Sequence, residues 1–141
     1  MFNGRVFLPI GAVFGFIAVI AAAALSHRAM GEFEQGGTYL FQMAVIFHLG
    51  HALALMFIGI LWPRVPRVGR RSLRLAGWGF TIGVPLFCGS LYILSVAGPG
   101  SLGSFSIITP IGGTAFIIGW MALCWVSFQV MGVHIGRGSK K

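Results

Sequence analysis

The chain has 141 residues, 57% of them hydrophobic and only 9% charged, against roughly 25% charged in an average soluble domain. One domain's worth of sequence with so little polar surface excludes a soluble fold and predicts an integral membrane protein. The formal charge of +8 does not predict nucleic-acid binding, because the cations are not interleaved with aromatic residues on one surface. They cluster where topology-setting charges lie: Arg64, Arg67, Arg70, Arg71 and Arg74 in one linker, and Arg137, Lys140 and Lys141 at the C-terminus. Arg5 precedes the first apolar run, and Arg28 stands apart.

Four apolar runs follow one another. The first, residues 6–25, reads as a retained helix. A signal peptide would have an apolar core of about 7–15 residues and a soluble domain behind it. Gly11 and Gly15, continued by Ala18 and Ala22, form a small-residue face that permits close helix contact. The connection after it holds both acidic residues of the chain, Glu32 and Glu34, which with His27 and Arg28 make an outer interfacial cluster. Phe33 between them is expected to dip toward lipid while the glutamates stay wet. No nucleophile or phosphate-binding loop accompanies the cluster, so it predicts a salt-bridged turn.

The second run, residues 39–62, is long enough to cross about 30 Å of hydrocarbon and carries His48 and His51 near its middle. Placed at helical intervals, Ala44, His48, His51, Ala52, Leu55 and Gly59 gather on one face. Small residues beside imidazoles define an inward face, with Ser90, Thr81 or backbone carbonyls as expected partners. The basic linker 63–74 comes next, as a topology signal and a surface for anionic headgroups. The third run, residues 75–97, repeats the glycine spacing at Gly79 and Gly83 and is expected to kink at Pro85. An uncharged loop leads to Thr109, expected as an N-cap with Pro110 at the first helical position. The fourth run, residues 109–131, carries the stripe Gly112, Ala115, Gly119 and Ala122.

With both termini cytoplasmic, nine of the ten cations face inward and only Arg28 outward, as the positive-inside rule requires. The expected fold is a compact all-α bundle of four transmembrane helices with up-down topology, in one domain spanning residues 1–141.

Four strings carry a family resemblance. AAALSHRAM (22–30) resembles a GAFGAHAL segment, with His27 at its histidine, and FHLGHALAL (47–55) is similar to YQxxHALAL. FCGSLYIL (87–94) is similar to FSGSLYLL, and ITPIGGTAFIIGW (108–120) is close to the same family's fourth-helix motif. In order and spacing the chain resembles the domain of unknown function 423 family, whose eukaryotic relatives are transmembrane protein 256-like. The resemblance implies a small four-helix protein of the bacterial inner membrane with no assigned activity. The matching polar positions are His27, His51, Ser90, Tyr92, Thr109 and Pro110. His48 stands where the family has glutamine, and Arg28 where it has a small or apolar residue.

A haem or metal on His48 and His51 is not expected. His51 lies about 18 Å down its helix, and no other span offers a histidine at that depth. Zinc or copper sites need three or four converging ligands. Cys88 and Cys124 differ in depth by about 8 Å, too far for a disulfide. No acid, base and nucleophile meet, so an enzyme is not expected. Two functions stay open. One is a structural, accessory or assembly subunit, embedded in lipid beside a larger respiratory, photosynthetic or transport complex or beside its own copies. The other is a small oligomeric carrier or channel with a polar path around His51, Ser90, Tyr92 and Thr109.

Overall fold

A computed structural model describes residues 3–27, 36–98 and 100–138, with side chains except at 25–27 and 131–138. Four helices are long and apolar enough to cross a bilayer. Helix α1 (Phe7–His27) follows a 3-10 turn, Gly4–Val6, and α2 is Gly37–Leu61. Helix α3 runs Arg70–Ala97, and α4 (Ile108–Gly138) follows a second 3-10 turn, Gly103–Ile107.

The four form a bundle of two hairpins: α1 packs chiefly on α2, and α4 chiefly on α3. The most apolar windows of α2 and α3 are each 39% buried, against 17% for α1 and 22% for α4. The two inner helices therefore carry the core, and the outer two shield it from lipid. All six residues of the expected inward face of α2 are buried.

Small residues set the spacing within each hairpin. A methyl group on Gly11 would stand 2.6 Å from the Ala52 carbonyl of α2, and one on Gly79 would stand 2.8 Å from the Ala115 carbonyl of α4. Gly112 presses directly on the Phe87 backbone. Gly83 and Gly119 do something else: they make room for the rings of Phe116 and Phe80. Gly15 departs from the sequence reading, since its nearest neighbour would be 3.9 Å away, an ordinary contact. Gly59 against the Leu8 backbone and Gly77 under the Phe7 ring are close approaches of the same kind.

Three boundaries differ from expectation. Helix α3 begins at Arg70, so Arg70, Arg71 and Arg74 belong to a helix and not to a linker. At 28 residues it is about 42 Å long, which carries its first turns beyond a hydrocarbon core of about 30 Å. Charge is excluded from that core but not from a helix projecting out of it. There the Arg70 Nε donates to the Val65 carbonyl at 3.2 Å, and its guanidinium lies 5.9 Å from the centre of the Trp62 ring. Arg64 donates to the Ile60 carbonyl near the end of α2 (3.1 Å), satisfying one of the acceptors a helix leaves open.

Thr109, second, is not an N-cap: the helix already includes Ile108, and the hydroxyl turns to α3 instead. Pro110 still lies in the first turn, where its missing N–H costs nothing. Third, the expected kink at Pro85 is a π-helical segment, Val84–Cys88, between two α-helical stretches. Proline removes one i→i−4 donor and crowds the carbonyl four residues earlier, and a wider turn accommodates both.

Candidate functional site

Three hydrogen-bonded groups surround the two histidines and Ser90. Apart from them, buried Ser95 donates to the Tyr92 carbonyl of its own helix at 2.7 Å, and Ser72 of α3 donates to Gln129 of α4 at 3.3 Å. His51 lies in the first of the three groups, only 6% exposed. Its Nδ1 is 2.7 Å from the Phe47 carbonyl, one turn earlier on α2. A carbonyl can only accept, so Nδ1 bears the proton. Its Nε2 is 3.2 Å from Trp120 Nε1 of α4. An indole N–H can only donate, so Nε2 offers its lone pair. The two partners together fix one neutral tautomer and use both ring nitrogens.

Aromatic rings hold that imidazole in place. Phe116 stacks on it at 3.6 Å with an 11° tilt, and Phe80 meets it edge-on at 5.2 Å. Phe47 and Phe87 extend the cluster toward α3. This layer joins α2 to α4 through side chains.

The second group is His48 with Tyr92, whose hydroxyl lies 3.3 Å from Nδ1. His48 is 4% exposed, and its Nε2 is buried without a partner. Tyr92 rests on Phe41 (ring centroids 5.0 Å apart), and Phe14 of α1 meets the His48 ring edge-on.

The third group ties α3 to α4: Thr109 donates to the Ser90 hydroxyl at 2.7 Å, and Ser90 donates to the Phe87 carbonyl at 2.8 Å. Thr81 serves its own helix, donating to the Gly77 carbonyl. Of the partners expected for the histidines, a backbone carbonyl is the one found, that of Phe47 on His51, while neither Ser90 nor Thr81 bonds a histidine.

The four residues of the expected polar path are thus divided among separate groups. Trp120, the one side chain bound to His51, was not singled out by the sequence reading. A signal for it existed, because tryptophan prefers the membrane interfaces, and one well inside a span needs a buried acceptor.

Among the described residues no three histidine, cysteine or acidic side chains converge on a metal position. Cys88 is buried and Cys124 exposed, both as free thiols. His27 ends α1, but its side chain, together with Arg28, Glu32, Phe33 and Glu34, lies outside the described residues.

Fold and site together define a small multi-pass membrane protein, a four-helix bundle in which three pairs of interior polar side chains link neighbouring helices. The chain belongs to the family described as Protein of unknown function (DUF423), whose model matches residues 20–113. It is 37% identical over 119 residues to UPF0382 membrane protein YwdK of Bacillus subtilis, covering 84% of this chain and 93% of that one. To UPF0382 membrane protein SAB0533 of Staphylococcus aureus it is 34% identical over 130 residues, or 91% and 99% of the two chains. A UPF0382 membrane protein of Haemophilus influenzae is 30% identical over 123 residues, 87% of this chain and 94% of its own. No solved structure matches the chain.

Proposed function

We propose that this protein is a non-catalytic accessory or assembly subunit of a larger complex in the bacterial cytoplasmic membrane, with both termini in the cytoplasm. The observation that carries this reading is the pairing of His51. Both ring nitrogens are taken up inside one chain, by Phe47 and Trp120, so the imidazole works as a fastener between helices. A proton carrier needs a ring nitrogen free to exchange, and a metal ligand needs a free lone pair. The carrier or channel reading has less support, since His51, Tyr92 and Ser90 engage different partners.

The orientation rests on charge. The chain's carboxylates, Glu32 and Glu34, precede α2, whereas five arginines follow it, and cation-rich short loops stay inside. In this reading the chain holds no haem or metal of its own. Its partners are lipid and other membrane subunits, and nucleic acid is not among them.

The test is purification from native membranes in mild detergent, followed by mass spectrometry and an absorption spectrum of the intact particle. Stoichiometric recovery with a larger complex is expected. A colourless particle containing this chain alone would overturn the accessory reading, and a haem spectrum at one per chain would overturn the absence of a cofactor.

A further inference from the structure

Helix α3 turns two of its arginines away from the core, onto a side that continues into the span. At about 100° per residue, the buried residues Leu73, Ala76, Gly77 and Phe80 gather on one side. Arg71, Arg74, Leu75, Trp78 and Ile82, all exposed, occupy an arc of about 100° on the opposite side. Arg70 stands at the border between the two, and its guanidinium turns back to the Val65 carbonyl and the Trp62 ring. Arg67, also exposed, lies in the turn just before the helix.

Along the helix axis this stripe has the layering of a phospholipid. Arginines come first. Trp78 follows about 10 Å below Arg71, a depth that indoles favour, and Phe7 meets its ring edge-on at 5.9 Å. Leu75 and Ile82 add aliphatic surface, Ile82 about 16 Å below Arg71. A soluble partner cannot follow the stripe into hydrocarbon, whereas a lipid spans all three layers.

The charges lack a counter-ion within the chain. No aspartate or glutamate stands among the described residues, since the chain's two, Glu32 and Glu34, both precede α2. Arg71 and Arg74, three apart, are neighbours on the helix surface, where like charges repel, and Arg67 comes one turn before Arg71. An anion set between two such arginines turns their repulsion into attraction to itself. The guanidinium fork matches phosphate oxygens two at a time. Three arginines in succession make two places for a phosphate, and Arg71 serves both.

We infer that the lipid-facing side of α3 binds one lipid carrying two phosphates. One phosphate lies between Arg67 and Arg71 and the other between Arg71 and Arg74, with acyl chains along Leu75, Trp78 and Ile82. The inference rests on the reading that lipid is a partner of this chain and narrows it to one site and one headgroup. It does not depend on the accessory role.

The test places the full chain in phosphatidylcholine nanodiscs and titrates in cardiolipin, whose two phosphates share a glycerol, or phosphatidylglycerol, which has one phosphate. Bound lipid is counted by native mass spectrometry. At equal total phosphate, cardiolipin should bind more tightly by about tenfold or more, because its second phosphate arrives at a high effective concentration. Arg71→Gln should bring cardiolipin down to the level of phosphatidylglycerol. Arg5→Gln, which removes the same charge from the turn before α1, should keep the preference. The compound 1,3-bisphosphoglycerol, the same headgroup without chains, should not displace cardiolipin at equal concentration.

Equal binding of the two anionic lipids, or equal losses in the two variants, would overturn the site and leave a diffuse charged surface. Displacement by 1,3-bisphosphoglycerol would overturn it in favour of a soluble anion. Binding of neither anionic lipid above phosphatidylcholine would overturn both the site and the reading of anionic lipid as a partner.

Discussion

His48 and His51 are one turn apart on the same helix face, yet their surroundings give them different chemistry. His51 is bounded by a group that only accepts and a group that only donates, so its tautomer is set by its neighbours. His48 has one adaptable partner and one open nitrogen. The Trp120–His51 bond is worth about 0.6 kcal/mol by the average of interhelical hydrogen bonds in membranes, and at most about 1.7. The stack on Phe116 is of similar size, about 0.5–1.5 kcal/mol. Trp120→Phe should therefore lower stability by about 1 kcal/mol in reversible unfolding from lipid–detergent micelles. It should also move the 15N resonance of His51 Nε2 while leaving that of His48 in place. A loss above about 3 kcal/mol would mean that Trp120 does more than donate to His51. The inward position of both histidines was legible in the sequence, because helical periodicity is a local signal. The carbonyl partner of His51 was legible as a type, but the side-chain partners were not, since Trp120 is 69 residues from His51 and Tyr92 is 44 from His48. Ser90 and Thr81 were reasonable expectations by type, but each hydroxyl finds a carbonyl on its own helix.

At the scale of helices, glycine spacing gives a sharp contrast between sequence and packing. Gly11-x-x-x-Gly15 and Gly79-x-x-x-Gly83 are the same pattern, yet their four members meet different neighbours. A side chain at Gly79 would strike the Ala115 carbonyl, a backbone atom that cannot rotate away, whereas at Gly15 there is ordinary clearance. Gly79→Ala should destabilise the bundle by about 1–3 kcal/mol through forced separation of α3 and α4. Gly15→Ala should be neutral or slightly stabilising, since it removes glycine's backbone freedom from a helix. Thermal unfolding of the two variants side by side checks this, and equal losses would refute the assigned crossing. Spacing marks where helices can approach, while the depth and angle of a crossing depend on both helices. For the same reason Pro85 was legible as an interruption but not as a π segment, and the start of α3 was hidden by arginines that helical geometry tolerates outside the hydrocarbon.

Over the whole molecule, five arginines follow α2, while the only two carboxylates in the chain precede it. Near an anionic surface each cation is worth about 1 kcal/mol, so the group as a whole rivals the core contacts in holding this end at the headgroups. Replacing Arg64, Arg67, Arg70, Arg71 and Arg74 together by glutamine should sharply reduce co-purifying anionic lipid, measured by lipid mass spectrometry. In the proposed orientation four of nine cytoplasmic cations would remain against one on the other side, so a C-terminal fluorescent fusion should still report a cytoplasmic end. Inversion of that end would show that the five set the topology alone. The division into two hairpins bears also on how the chain is made. Each of α1 and α3 meets its main neighbour as soon as the next helix is synthesised, but His51 must wait for a partner 69 residues downstream. At about 5–20 residues per second that interval lasts roughly 3–14 seconds, during which α3 is made but the α4 side of His51 stays uncovered. The Phe47 carbonyl is within reach from the start, so the ring's proton is never stranded, and only a lone pair has to wait for the ribosome.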